Sequence, residues 1–179
     1  MSETRSGYQQ SVSGLVGALL LALLLIAAVW GLSLLHGRPS VQRAEAIDFS
    51  AELREARAQS PFEILAPTDT PSGWDATSVT WQGAGPEVSW HLGFRTDDGE
   101  YVALEQGNEP ANRFIAFRTP ADQPAEPVVI ADETWTALTS DDGDEHAFVL
   151  AGDGVTTLVT GSAPVPDLIA FTESLSPDK

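Results

Sequence analysis

The longest apolar stretch in the chain is Gly14 to Leu35, GLVGALLLALLLIAAVWGLSLL, 22 consecutive residues without a charge. As an α-helix it would be about 33 Å long, against a hydrocarbon thickness of roughly 30 Å. The pattern therefore predicts a transmembrane helix, with Tyr8 before it and Trp30 near its end as interfacial anchors. A buried helix of a soluble core would normally carry a polar stripe over this length. Ala44-Glu45-Ala46 matches a signal-peptide cleavage site. However, the run exceeds the roughly 7–15 apolar residues of a signal core, and His36, Arg38 and Arg43 intervene, so we read an uncleaved anchor.

Beyond the anchor the period changes. Ile47–Ala58 has a helical pattern, closed by Ser60-Pro61. Phe62–Leu65 and Trp74–Gln82 read as strands. Val88, Trp90, Leu92 and Phe94 then alternate with Ser89, His91, Gly93 and Arg95, which predicts a strand with one buried face. Asp98-Gly99 turns it into a partner strand, Glu100–Gln106. A short helix follows over Pro110–Arg118, then a Pro- and Ala-rich connector, Pro120–Pro127. Thr134–Thr139, His146–Ala151 and Val155–Thr160 are three more strands, joined at Asp142-Gly143 and at Gly152-Asp153-Gly154. Pro164–Leu175 predicts a terminal helix with Leu168, Ile169, Phe171 and Leu175 on its apolar face. Both halves run strand, Asp-Gly hairpin, strand, helix, which hints at an internal duplication.

The expected fold is α+β: an N-terminal transmembrane helix followed by an antiparallel β-sheet domain with two or three packed helices. The organisation is a tail over 1–13, a span over 14–35, a linker over 36–44 and an acidic domain over 45–179.

Charge and composition narrow the function classes. The chain has 26 acidic residues against 9 basic ones, for a net charge of −17. Nucleic acid is thereby excluded as a partner, because neutralising phosphates needs clustered Lys and Arg. The acidity is spread through 45–179 and reads as a solvated surface. There is no cysteine, hence no disulfide, thiolate nucleophile or Cys-bound metal. The only lysine is Lys179, the last residue. Bases flank the span on both sides, Arg5 before it and Arg38 and Arg43 after it. Counting them would put the domain inside, but long domains translocate with little regard to that count.

Little in the sequence carries chemistry. No nucleophile elbow, P-loop, dinucleotide fingerprint or zinc-protease motif is present. Asp141-Asp142-Gly143-Asp144-Glu145 lacks the order of a calcium loop and reads as a hairpin turn. Trp74, Trp81, Trp90 and Trp135 read as core residues rather than a binding platform. His91 lies on the polar face of its strand, where it could act as a base or ligand; His146 follows the acidic turn, and the two lack metal-ligand spacing. Gln106 shares parity with Val102 and Leu104, so its amide falls at the end of an apolar face and needs a partner, either backbone or ligand. His91 and Gln106 are the candidate ligand-binding residues. No catalytic residue, metal or cofactor is expected.

The segments Pro71-Ser72-Gly73-Trp74, Trp90-His91-Leu92-Gly93-Phe94, Gly99-Glu100-Tyr101-Val102-Ala103-Leu104-Glu105-Gln106 and Val159-Thr160-Gly161, behind one N-terminal membrane helix, resemble the actinobacterial domain-of-unknown-function 4245 family of single-pass membrane proteins. The resemblance runs from the anchor to Leu175. Its pattern would place a glycine-containing turn before Trp135, where this chain has Asp132-Glu133-Thr134. The resemblance implies an α+β domain facing outward at the cell envelope, and no catalytic residues. The expected function is a non-enzymatic binding or accessory module. Its partners would be the lipid bilayer, through residues 14–35, and a membrane or envelope protein. Two competing classes are a carboxylate-dependent hydrolase of envelope polymers and a structural subunit of a membrane complex.

Overall fold

The computed structural model describes residues 46–177. The predicted span over 14–35 lies outside them, and among the described residues no helix is long and apolar enough to cross a membrane. The described part is an antiparallel sheet with three helices. In chain order the elements are α1 (Ser50–Gln59), β1 (Ala66–Pro67), β2 (Asp75–Gln82), β3 (Ser89–Arg95), β4 (Tyr101–Gly107), α2 (Ala111–Arg118), β5 (Gln123–Pro124), β6 (Val128–Ile130), β7 (Glu133–Thr139), β8 (His146–Gly152), β9 (Val155–Gly161), α3 (Val165–Glu173) and β10 (Leu175–Ser176).

The main sheet runs β2-β3-β4-β9-β8-β7-β5, with β6 also pairing β7. Two three-strand meanders, β2-β3-β4 and β7-β8-β9, therefore meet where their last strands pair, Leu104 opposite Val159. Alternation assigns the faces. Trp90, Leu92 and Phe94 of β3, Val102 and Leu104 of β4 and Val159 of β9 bury one face against Ala56 of α1 and Leu168 and Phe171 of α3. Phe94 meets Phe171 edge-on at 5.3 Å, and Trp74 stacks on Phe171 at 5.7 Å. The other face is covered over only half its width. There Phe114 of α2 packs with Ala121, Ala147, Val149 and Leu158, over β8 and β9. The helices that close the two meanders thus cover opposite faces, so the shared order of elements does not amount to a symmetric duplication. No apolar cluster covers the β2-β3-β4 half of the second face, although Ala103 and Glu105 of β4 are buried there.

Three sequence expectations shift. Phe62–Leu65 forms no strand; the two-residue strand is Ala66–Pro67, paired with Leu175–Ser176. The reason is that side chains take the place of a ladder. Gln106 Oε1 accepts from the Leu65 N–H at 2.8 Å, Gln106 Nε2 donates to the Glu63 carbonyl at 3.2 Å, and Trp90 Nε1 donates to the Leu65 carbonyl at 3.0 Å. Consequently α3 ends at Glu173, and Leu175 leaves the predicted helix to join β10. Finally, β6 follows the Pro-rich connector and returns into β7 through Ala131-Asp132, with φ of 50° and 66°. That two-residue turn contains no glycine, so the usual signal for it was missing.

Candidate functional site

The open half of the second face is built from residues at one parity on three neighbouring strands. His91 of β3 lies directly across from Glu105 of β4. Ser78 of β2 is paired with Gly93, two residues from His91, and so reaches the imidazole diagonally. Ser78 Oγ is 2.7 Å from His91 Nε2, and His91 Nδ1 is 2.7 Å from Glu105 Oε1. Arg118, at the end of α2, places Nε 3.2 Å from Glu105 Oε2. That Nε is off the line a hydrogen bond requires, so the contact is an ion pair. The guanidinium also lies 4.9 Å over the Phe114 ring. Arg118 Nη2 continues to Glu109 at 3.5 Å; Arg113 bonds Glu109 at 3.1 Å and pairs with Glu87.

Proton placement follows from the inventory of donors. An ionised Glu105 can only accept, so His91 Nδ1 carries the hydrogen. For a neutral imidazole, Nε2 is then the acceptor, and the Ser78 hydroxyl must donate to it. Glu105 is the only buried charged residue among the described residues, and it is held by one histidine and one arginine. A buried carboxylate without such partners would be costly.

Two local features make the diagonal contact feasible. Gly93 has no side chain, and a Cβ there would strike Ser78 Oγ and come within 2.8 Å of Tyr101 Oη. The Tyr101 and Ser78 hydroxyls therefore converge over bare backbone. A β-bulge at Thr77, between the pairs Ala76–Phe94 and Ser78–Gly93, rotates β2 just before the serine. Burial raises the Tyr101 phenol above its usual range, and the neighbouring Ser78 hydroxyl acts in the opposite direction.

The sequence candidates part company here. His91 sits at the centre of the relay. Gln106 is on the opposite face, buried, with both amide hydrogens and its carbonyl engaged by Glu63, Thr157 and Leu65. The backbone-partner alternative for Gln106 is the one realised. All four tryptophans of the domain lie in or against the main core. His146 lies apart from His91, in a cleft of about 330 Å³ at the end of the sheet, with Asp97, Asp98, Asp144 and Asp167. Ser78, Glu105, Gly93, Tyr101 and Arg118 were not singled out from sequence. A glycine inside an alternating strand was the one available signal, since it marks a close approach.

The fold and relay define a small antiparallel-sheet domain with one fully buried face and one half-open polar face. The chain belongs to the family described as Protein of unknown function (DUF4245), whose model matches residues 8–175. No curated protein matches the chain in sequence. Among solved structures it is similar to MucB, in the crystal structure of MucB in complex with MucA(peri), at 13% identity and a TM-score of 0.37. The similarity covers 64% of this chain and 36% of that one. A likeness of that degree carries no inference about activity or partners.

Proposed function

We propose that the chain is a membrane-tethered domain on the outer side of the membrane, acting as an accessory module that engages a membrane or envelope protein through the open half of its sheet. The observation that carries this reading is the relay itself. Side chains from β2, β3 and β4 are fixed in a defined polar pattern, bounded on one side by Arg118 of α2. Ordering long side chains costs entropy, which a merely solvated surface has no need to spend. The 22-residue uncharged segment supports the tether, and a tether raises the effective concentration of the domain near membrane partners. The family resemblance supports the outward orientation.

The absence of cysteine makes the test clean. Thr80 is exposed on the open half, and Ala170 is exposed on α3, which packs on the opposite face. A Thr80→Cys variant in intact cells should react with a membrane-impermeant maleimide. A photo-crosslinker at residue 80 should capture a discrete protein that the same group at residue 170 does not. Labelling only after lysis would refute the orientation. Equal crosslinking from both positions would refute the open half as the docking surface.

A further inference from the structure

We propose that Ser78 is a nucleophile for acyl transfer, activated by His91, and that the open half of the sheet cleaves an uncharged or cationic ester. The proposal rests on that half being the working surface, but not on the tether.

Ser78, His91 and Glu105 have the roles and spacings of the serine–base–carboxylate constellation that recurs on unrelated folds. Both contacts, 2.7 Å and 2.7 Å, lie within hydrogen-bond reach of a nucleophile and of the group that orients its base. Glu105 accepts from Nδ1, which leaves the Nε2 lone pair directed at the serine hydroxyl. Glu105 is a positioning residue, and Arg118 holds its second oxygen. The neighbouring phenol of Tyr101 remains protonated, so it can donate to an oxyanion forming beside Ser78.

The reaction balances with water as the only co-reactant. Ser78 Oγ bonds to the acyl carbon as its proton passes to His91 Nε2. The ester C–O bond breaks, and the alcohol leaves with that proton. Water then gives a proton to Nε2 and its oxygen to the acyl carbon; the acyl carbon–Oγ bond breaks, Nε2 returns the proton to Oγ, and a carboxylic acid leaves. The chemical class follows from the surroundings. A single base supplies a single proton, which is sufficient for an alkoxide leaving group. Residues 45–179 carry 25 acids against 6 bases, so the field of the domain disfavours an anionic substrate.

Three features converge on Ser78: the relay, the bulge before it and the missing side chain at Gly93. Gly93 also supplies a test that spares the fold. A Cβ at 93 first meets the Ser78 hydroxyl and the outer edge of the Tyr101 ring, side-chain atoms rather than backbone, and Ser78 must then leave His91.

The test uses the full chain in detergent micelles, with a fluorophosphonate probe and p-nitrophenyl acetate. The expected result is a covalent adduct mapped to Ser78, lost in Ser78→Ala. Labelling should slow by about 100-fold or more in His91→Ala. Gly93→Ala should slow it at least about 10-fold while melting cooperatively near the wild-type temperature. The proposal is overturned if folded wild-type protein gives no Ser78 adduct, or if the adduct forms at an unchanged rate in Gly93→Ala. Crosslinking from residue 80 reports separately: if it persists without an adduct, the docking surface stands and the nucleophile falls.

Discussion

At the scale of single residues, two glycines on opposite faces of the sheet should respond unequally to the same change. A Cβ at Gly161 would run into the Tyr101 carbonyl and come within 3.0 Å of the Val102 Cα, all of it backbone of the paired strand β4. Backbone in mid-sheet cannot step aside, so Gly161→Ala should cost about 2–3 kcal/mol in denaturant unfolding. Gly93→Ala should cost well under half of that, because hydroxyl ends yield. Equal losses would mean that Ser78 and Tyr101 are locked more firmly than described. Glu145 provides a pH test. Burial, and next the charge of Asp142, raise its carboxyl above the usual range. A raised folded value means that the folded chain holds this proton more tightly than the unfolded chain. The associated stability is therefore present at low pH and is lost as pH rises through the folded value. Glu145→Gln should raise the melting temperature at pH 7 and have little effect where the wild-type carboxyl is already protonated. Asp142 works the other way. The Ser140 hydroxyl and the Asp144 N–H lower it, so its contribution is lost on acidification.

At the scale of elements, the turn between β6 and β7 is the clearest strained piece. Ala131 holds φ of 50° with no glycine or asparagine to ease it. Ala131→Gly should stabilise the domain by about 0.5–1 kcal/mol; a loss would show that the alanine methyl makes a contact worth more than the strain. The same turn marks a limit of reading the sequence. Strands β2, β3, β4, β7, β8 and β9 and the three helices of the described residues are legible in the sequence, because periodicity, Asp-Gly turns and proline stops agree. Where side chains satisfied the backbone in place of a ladder, as Gln106 and Trp90 do for residues 63–65, the local apolar pattern misled. His91 was found as a polar residue opposite a tryptophan. Its partners were not, because Ser78 and Glu105 come together only through register, and register is not a local property. Parity marks Gln106 as a polar group in need of a partner but does not say which; the partners are Glu63, Leu65 and Thr157.

At the scale of the whole molecule, charge dominates. Residues 45–179 carry 25 acids and 6 bases, so the compact state works against its own field. Raising the salt concentration from about 10 mM, where screening reaches roughly 30 Å, to about 1 M should raise the melting temperature steadily. A fall would mean that the Arg113 and Arg118 ion pairs outweigh the general repulsion. The Arg118–Glu105 pair joins α2 to β4, so the relay also links the covered and open halves of the second face. The nucleophile proposed for this surface requires one proton arrangement on His91. Nitrogen-15 NMR of the labelled chain near neutral pH, with His91→Gln to assign the resonance, reads that arrangement directly. The account predicts a neutral imidazole protonated at Nδ1, with a strongly downfield proton held toward Glu105. An imidazole protonated at Nε2, or one averaging freely between tautomers, would contradict it.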